Sequence, residues 1–260
     1  SRDWSSDVCS SDLALGAGVI LLFLAAVEAA VRLKWLNPVL IPAPTIVAER
    51  TWEIVAKGEF LAPLGATLYL LAVAYFAASA LAVAVGLLMG RFRALYYLLE
   101  PLVEVLRPLP KPALLPPLIL FLGLGDAMKF AVIGLGVFFP VLINTVQGVR
   151  GVDPVLVDTG RTFRCGGGAL LLRVVLPAAM PLILAGMRVA LGLGLVLVVI
   201  AEMMAGTGGV GYLIIDMQRT FRVQHMYAWI VILAVLGYAL NGAFLKVEHR
   251  LIHWAHARTE

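Results

Sequence analysis

Residues 153–177 read DPVLVDTGRTFRCGGGALLLRVVLP, a polar interruption between two stretches hydrophobic enough to lie in a bilayer. The segment carries Asp158, Arg161, Arg164 and Arg173, a glycine triplet and a closing Leu176-Pro177. A plain membrane hairpin needs no such insert. Asp153 followed by Pro154 is a favoured helix start, because the carboxylate accepts from a free backbone N–H and proline presets the backbone angle. The pattern therefore predicts a short helix over Val155–Phe163. Gly166–Gly168 breaks it, Ala169–Val175 forms a second short helix, and Pro177 opens the next span. Two short helices joined by a glycine turn make a rigid knob outside the bilayer. Such a knob can dock on another protein and pass that protein's motion to the spans on either side.

The rest of the chain agrees with a membrane setting. Of 260 residues, 62% are hydrophobic and only 14% are charged, where a soluble domain carries roughly a quarter charged residues. The deficit runs along the whole length, so the fold class is an all-α polytopic membrane protein with spans of about 20 residues each. The net charge of +4 comes with arginines beside apolar stretches. That is membrane-flanking charge, and nucleic-acid binding is excluded in its favour. Cys9 and Cys165 show no metal-type spacing and are not expected to pair.

Three segments follow along the chain. Residues 1–12 are polar and rich in Ser and Asp, and Asp3–Asp12 reads as the in-frame translation of a common sequencing-library adapter. They are expected to be non-native or disordered, and Cys9 then carries no functional information. Residues 13–62 hold a first span, Leu13–Val31, with Glu28 and Arg32 spaced to pair on one helix face. Thr45 is placed to cap an interfacial amphipathic helix reaching about Lys57.

Residues 63–260 form the core. In Leu64–Gly90, Ala74, Ala78, Ala82, Gly86 and Gly90 recur every fourth residue, a stripe that lets a second helix backbone come close. Leu95–Leu122 is apolar but interrupted by Pro101, Pro108, Pro110, Pro112, Pro116 and Pro117. No unbroken helix tolerates these, and broken helices at membrane depth occur where they are buried in protein or line a cavity. Ala127–Val149, Ala178–Met204 and His225–Val247 complete a set of six expected spans. Gly206–Gly211 is expected to form a flexible turn. Counting Lys and Arg with the 153–177 loop inside gives nine against seven, a poor orientation signal.

The loop resembles the EAA loop of ABC-importer permeases: Glu-Ala-Ala, three residues, Gly, nine residues, a branched aliphatic, one residue, Leu-Pro. Anchored on Leu176-Pro177, that pattern puts Asp158, Thr159 and Gly160 at the Glu-Ala-Ala positions and Val174 at the aliphatic one. Arg164 stands at the glycine position, a departure, and Gly166 and Gly167 lie close enough to supply the turn. PAPTIV, RPLPKPALLPPLILFLGLGDAMK, FFPVLINTVQGVRGVDP, RVVLPAAMPLILAGMRVALGLG and AEMMAGTGGVGYLI, in that order, look like the nitrate, sulfonate and taurine branch of these permeases. The resemblance implies the type I ABC-importer permease fold in a bacterial inner membrane. It also implies a transport subunit without catalysis or cofactor, working with ABC ATPase subunits, a periplasmic or extracellular substrate-binding protein and a second permease copy. It makes Asp153, Asp158, Thr159, Gly160, Arg161, Arg164, Gly166, Gly167, Val174, Leu176 and Pro177 the ATPase-coupling loop. No G-x-x-x-x-G-K-[ST] phosphate loop occurs in the chain.

Intramembrane polar groups are the remaining candidates. Arg188 suits equally attraction of an anion or a structural role bonding carbonyls of a neighbouring helix, Glu202 suits a cap or gate near the outer end, and Asn144 suits either interhelical glue or the pathway. His249, His253 and His256 share a helical face, which fits an interfacial tail better than a metal site. An ion-coupled secondary transporter is the competing reading. It requires acidic or histidine residues at mid-membrane, where Arg188 is the deep charge instead.

Overall fold

The computed structural model describes residues 4–252. All regular structure among them is helical: α1 Trp4–Arg32, α2 Pro44–Ala56, α3 Leu61–Arg91, α4 Arg93–Leu106, α5 Leu115–Leu122, α6 Asp126–Arg150, α7 Pro154–Thr162, α8 Gly167–Leu170, α9 Leu176–Ala205, α10 Val210–Arg219 and α11 Val223–Leu251. Four helical stretches are long and apolar enough to cross a membrane: α3, α6, α11 and the continuous run Gly167–Ala205 that joins α8 to α9. A fifth crossing arises if α4 and the segment Lys111–Leu122, bent by 90° at their junction, act as one broken span. These counts refer to the described residues. The sixth expected span, Leu13–Val31, falls within α1, which also takes in residues 4–12.

The chain forms two compact units, one of residues 4–61 with 213–232 and one of residues 62–212 with 233–252. In the first, Glu28 near the end of α1 accepts from Arg32 Nε at 2.7 Å, from Thr45 Oγ1 at 2.9 Å and from the Thr45 N–H at 3.1 Å. The expected Glu28–Arg32 pair is thus formed. Thr45 does not cap α2, which begins one residue earlier at Pro44. Proline at the first helical position fixes the start, and the carboxylate of Glu28 satisfies the free N–H of Thr45 in place of a local cap.

The second unit is organised around α6. The small-residue stripe of α3 lies against it: a Cβ added at Gly86 would stand 2.7 Å from Thr145, and one at Gly90 would stand 2.5 Å from Val149. On its other side α6 meets α9, where a Cβ at Gly186 would come within 2.5 Å of Asn144. Close backbone approach replaces the hydrophobic driving force that lipid does not supply. Tyr75 Oη donates to the Met187 carbonyl at 2.9 Å and ties α3 to α9.

Two local features depart from the expectation. Pro101 sits inside α4 and Pro116 and Pro117 lie in the first turn of α5, so the break is confined to Arg107–Pro110. There the Lys111 ammonium donates to the carbonyls of Leu106, Arg107 and Leu109 at 2.8, 3.1 and 2.9 Å. A side chain thereby satisfies acceptors that the ended helix leaves bare. The turn at Gly206–Gly211 is not loose. Fully buried Glu202 accepts from Thr67 Oγ1 at 2.8 Å and from the Gly211 N–H at 2.8 Å, and Thr67 Oγ1 accepts from the Val210 N–H at 2.9 Å. Gly209 has φ +94°, and a Cβ there would stand 2.2 Å from Glu202 Oε1, so the backbone wraps around the carboxylate.

Candidate functional site

The polar loop is a built object. Asp153 caps α7 by accepting from the Val155 N–H at 2.8 Å. Thr159 and Thr162 return their hydroxyls to the carbonyls of Val155 and Asp158. Asp158 pairs with Arg161 at 2.9 Å on the outer surface, both side chains well exposed, so the pair contributes little stability. Gly160 faces inward and is buried. A Cβ there would stand 2.6 Å from Leu170 Cδ1 and 3.2 Å from Val174 Cγ2. Gly160 against Leu170 and Val174, the last also aligned by the sequence pattern, is therefore the contact that seats α7 on the next helix.

The turn that ends α7 lies at Arg164 and not in the glycine triplet. The Arg164 N–H bonds the Arg161 carbonyl at 2.9 Å and the Cys165 N–H bonds the Gly160 carbonyl at 3.1 Å. This pair of bonds is the Schellman closure of a helix, which places its terminal residue in the left-handed region. Arg164 has φ +57°. It holds this left-handed turn where the resembled pattern has glycine, at a steric cost of roughly 1 kcal/mol. Gly166 instead precedes α8 with extended angles, and Gly167 lies in its first turn.

From α8 the helix runs on through a π-helical turn, Leu171–Val175, into α9. Pro177 removes a backbone donor, and a widened turn is one way a helix absorbs that loss without stopping. Leu176 and Pro177 therefore sit inside a single 39-residue helix, Gly167–Ala205. One end of that helix holds α7. Its middle forms a wall of a cavity of about 490 Å³, through Val189, Leu193 and Val196.

The adjoining wall of the cavity is α6, with Phe139 and Asn144, and the break after α4 contributes Arg107 and Lys111. Asn144 Nδ2 donates to the Pro140 carbonyl at 2.8 Å, which engages one of its two amide hydrogens. Because Pro140 has no N–H, the carbonyl of Gly136, another lining residue, loses its helical donor. Lys111 Nζ stands 4.6 Å from the centre of the Phe139 ring. Arg107 reaches Glu104 only at 3.8 Å, with both side chains more than half exposed, so its guanidinium is available.

The three polar candidates of the spans are not brought together. Asn144 lines the cavity, whereas Glu202 is enclosed by Thr67 and the 209–211 backbone. Arg188 pairs with Glu248 of α11 and does not line the cavity. Arg107 and Lys111 escaped the sequence reading, although a cation at each end of RPLPK inside an apolar run is a visible signal. His253 and His256 lie outside the described residues.

The family model described as binding-protein-dependent transport system inner membrane component matches residues 79–253. Among curated proteins, the putative aliphatic sulfonates transport permease SsuC of Bacillus subtilis is 33% identical over 214 residues, covering 82% of this chain and 78% of that protein. The taurine transport system permease TauC of Escherichia coli is 28% identical over 250 residues, covering 94% and 91%. The nitrate import permease NrtB of Synechocystis is 28% identical over 217 residues, covering 79% of each. A solved structure of the MetNI methionine ABC transporter in an inward-facing conformation superposes with a TM-score of 0.59 at 18% identity. The superposition covers 81% of this chain and 98% of that one, and shows a shared permease fold.

Proposed function

This chain belongs to the binding-protein-dependent transport inner-membrane component family, and from that premise we propose how its parts divide the work of an ATP-driven importer. It is the membrane permease subunit of an ABC importer, and hydrolysis belongs to a partner ATPase. A substrate-binding protein supplies the cargo. α7 is the coupling helix. Val155, Leu156 and Phe163 are exposed on it or at its end, an apolar face for the ATPase to grip. The observation that carries the reading is mechanical continuity: α7 is seated through Gly160 on the same unbroken helix that walls the 490 Å³ cavity. Displacement of α7 then tilts that wall, because a packed helix transmits strain rather than absorbing it.

The cavity is the translocation pathway. Arg107 in its lining and the Asn144 Nδ2 hydrogen that Pro140 does not engage can both donate to a small oxyanion, through a charge-assisted and a neutral hydrogen bond. A sulfonate, taurine or nitrate has that chemistry, in line with the cargo of the relatives. Two copies of the chain complete the pathway, each docking one α7. The test is uptake into proteoliposomes carrying the permease with its ATPase and binding protein. Arg107→Gln is expected to raise KM for an anionic substrate about tenfold, the loss of one charge-assisted contact of roughly 1.5 kcal/mol. An unchanged KM with intact assembly would remove Arg107 from the pathway.

A further inference from the structure

A second cavity, of about 540 Å³, lies beneath α7 at the end where α3 and α6 both terminate. Four arginines line it: Arg91 closes α3, Arg93 opens α4, Arg150 closes α6, and Arg161 comes from α7. Arg91, Arg93 and Arg150 form no ion pair among the described residues. Asp158 is the one carboxylate on the wall, and it is already engaged by Arg161. Arg150 is held with its guanidinium carbon 3.9 Å from the Tyr96 ring centre, a stacking that fixes the cation in place without neutralising it.

Two of these arginines have an ordinary explanation, since a cation at a helix C-terminus meets the negative end of the dipole. That account covers Arg91 and Arg150. It does not bring Arg93 and Arg161, from two other helices, to the same space. Arginines from four helices around one hollow, three of them without an ion pair among the described residues, make the kind of basic site that recognises a phosphate. The position selects the source of that phosphate. Two spans end here, so the cavity lies at the bilayer surface, and Phe92 and Tyr97 stand exposed beside it as aromatic residues do at headgroup level.

We propose that this cavity holds the phosphate of an acidic phospholipid headgroup, clamped between the α3–α4 turn and α7. Basic pockets between membrane helices on the cytoplasmic side bind such headgroups. A bound headgroup braces Arg161, and with it α7, against the ends of α3 and α6. Phosphate binding rests on the arginines and the choice of a headgroup on the cavity's place at the ends of two spans, while its lying on the cytoplasmic side rests on the function proposed above. Its effect on coupling rests on that function too.

The test uses the purified permease complex with its ATPase, in nanodiscs of phosphatidylcholine with or without phosphatidylglycerol. Lipid retention is read by native mass spectrometry and binding-protein-stimulated ATPase is read separately. Wild type retains phosphatidylglycerol in preference to phosphatidylcholine. Each arginine removed weakens retention about fivefold, so Arg91→Gln with Arg93→Gln costs roughly 25-fold. If that pair fails to assemble, Arg91→Lys with Arg93→Lys keeps the charge and retains the lipid within about fivefold of wild type. Undiminished retention in the Gln pair, or no lipid preference in wild type, overturns the proposal. Complete displacement by excess inorganic phosphate overturns the lipid assignment in favour of a soluble phosphate. Loss of retention with unchanged stimulation keeps the site and rejects its effect on α7.

Discussion

Replacing Gly160 tests the seat of α7. A methyl group at this position would stand 2.6 Å from Leu170 Cδ1 and 3.2 Å from Val174 Cγ2. The Leu170 contact is a side-chain tip, but Leu170 is itself buried and has little room to turn. Val174 is β-branched and stiff. Overpacking of this kind costs about 1–3 kcal/mol, and removing glycine from a helix returns about 1 kcal/mol. Gly160→Ala is therefore close to neutral or destabilising by up to about 2 kcal/mol in the local docking equilibrium. Gly160→Leu adds volume that the contact cannot absorb and lifts α7 off its support. A loss of 1–2 kcal/mol lowers the seated population by roughly 5–30-fold relative to the unseated one. The assay is the number of substrate molecules imported per ATP hydrolysed in proteoliposomes containing permease, ATPase and binding protein. Gly160→Leu should lower that ratio several-fold, with Gly160→Ala in between, while the subunits still co-purify. A wild-type ratio in Gly160→Leu would refute the argument that this contact transmits motion.

Three further outcomes follow from local geometry. Arg164→Gly relieves the left-handed backbone at φ +57° and should stabilise the loop by about 1 kcal/mol, whereas Arg164→Val should cost at least that much; hydrogen exchange over residues 160–170 reads both. Arg188→Ala strands the nearly buried Glu248 and should lower the detergent melting temperature, with a cost of roughly 2–3 kcal/mol because Arg188 itself is partly exposed; Arg188→Met with Glu248→Leu should recover most of it. Gly209→Ala forces a Cβ to 2.2 Å from the Glu202 carboxylate at φ +94°, and thermal unfolding should show a loss of about 2 kcal/mol or more.

What the sequence makes legible is periodic or local. The alanine and glycine stripe of α3 follows the helical repeat, so its packing face can be read by counting four residues at a time. The Asp153-Pro154 start of α7 needs only adjacent residues. The proline run locates a break, though only the hydrogen bonds of Lys111 show that it is confined to Arg107–Pro110. Contacts between distant residues do not leave such a trace. Arg188 and Glu248 are 60 positions apart, and nothing in the spacing assigns one to the other, so from sequence Arg188 reads equally as an anion-attracting charge or as a bond to neighbouring carbonyls. Glu202 reads as a cap or a gate, and which groups it holds shows only once Thr67 and the Gly211 N–H at the start of α10 are placed against it. Thr45 reads as a cap because a threonine before a helix usually is one, and Glu28 from α1 takes that role. The turn at Arg164 is hidden for another reason: three glycines stand nearby, and residue type alone favours them over an arginine for the left-handed position.

The central claim is that a loop with no ATPase of its own, pushed by a partner, opens and closes the cavity. Leu193 lines that cavity and serves as a reporter once Cys9 and Cys165 are replaced by serine. Leu193→Cys in the reconstituted complex is labelled by a membrane-impermeant thiol reagent applied to one side of the bilayer at a time. The account predicts that accessibility moves from one face to the other when ATP and loaded binding protein are present, and that Gly160→Leu abolishes the change. Labelling that switches sides without the ATPase, or that ignores ATP in the complete complex, would contradict it.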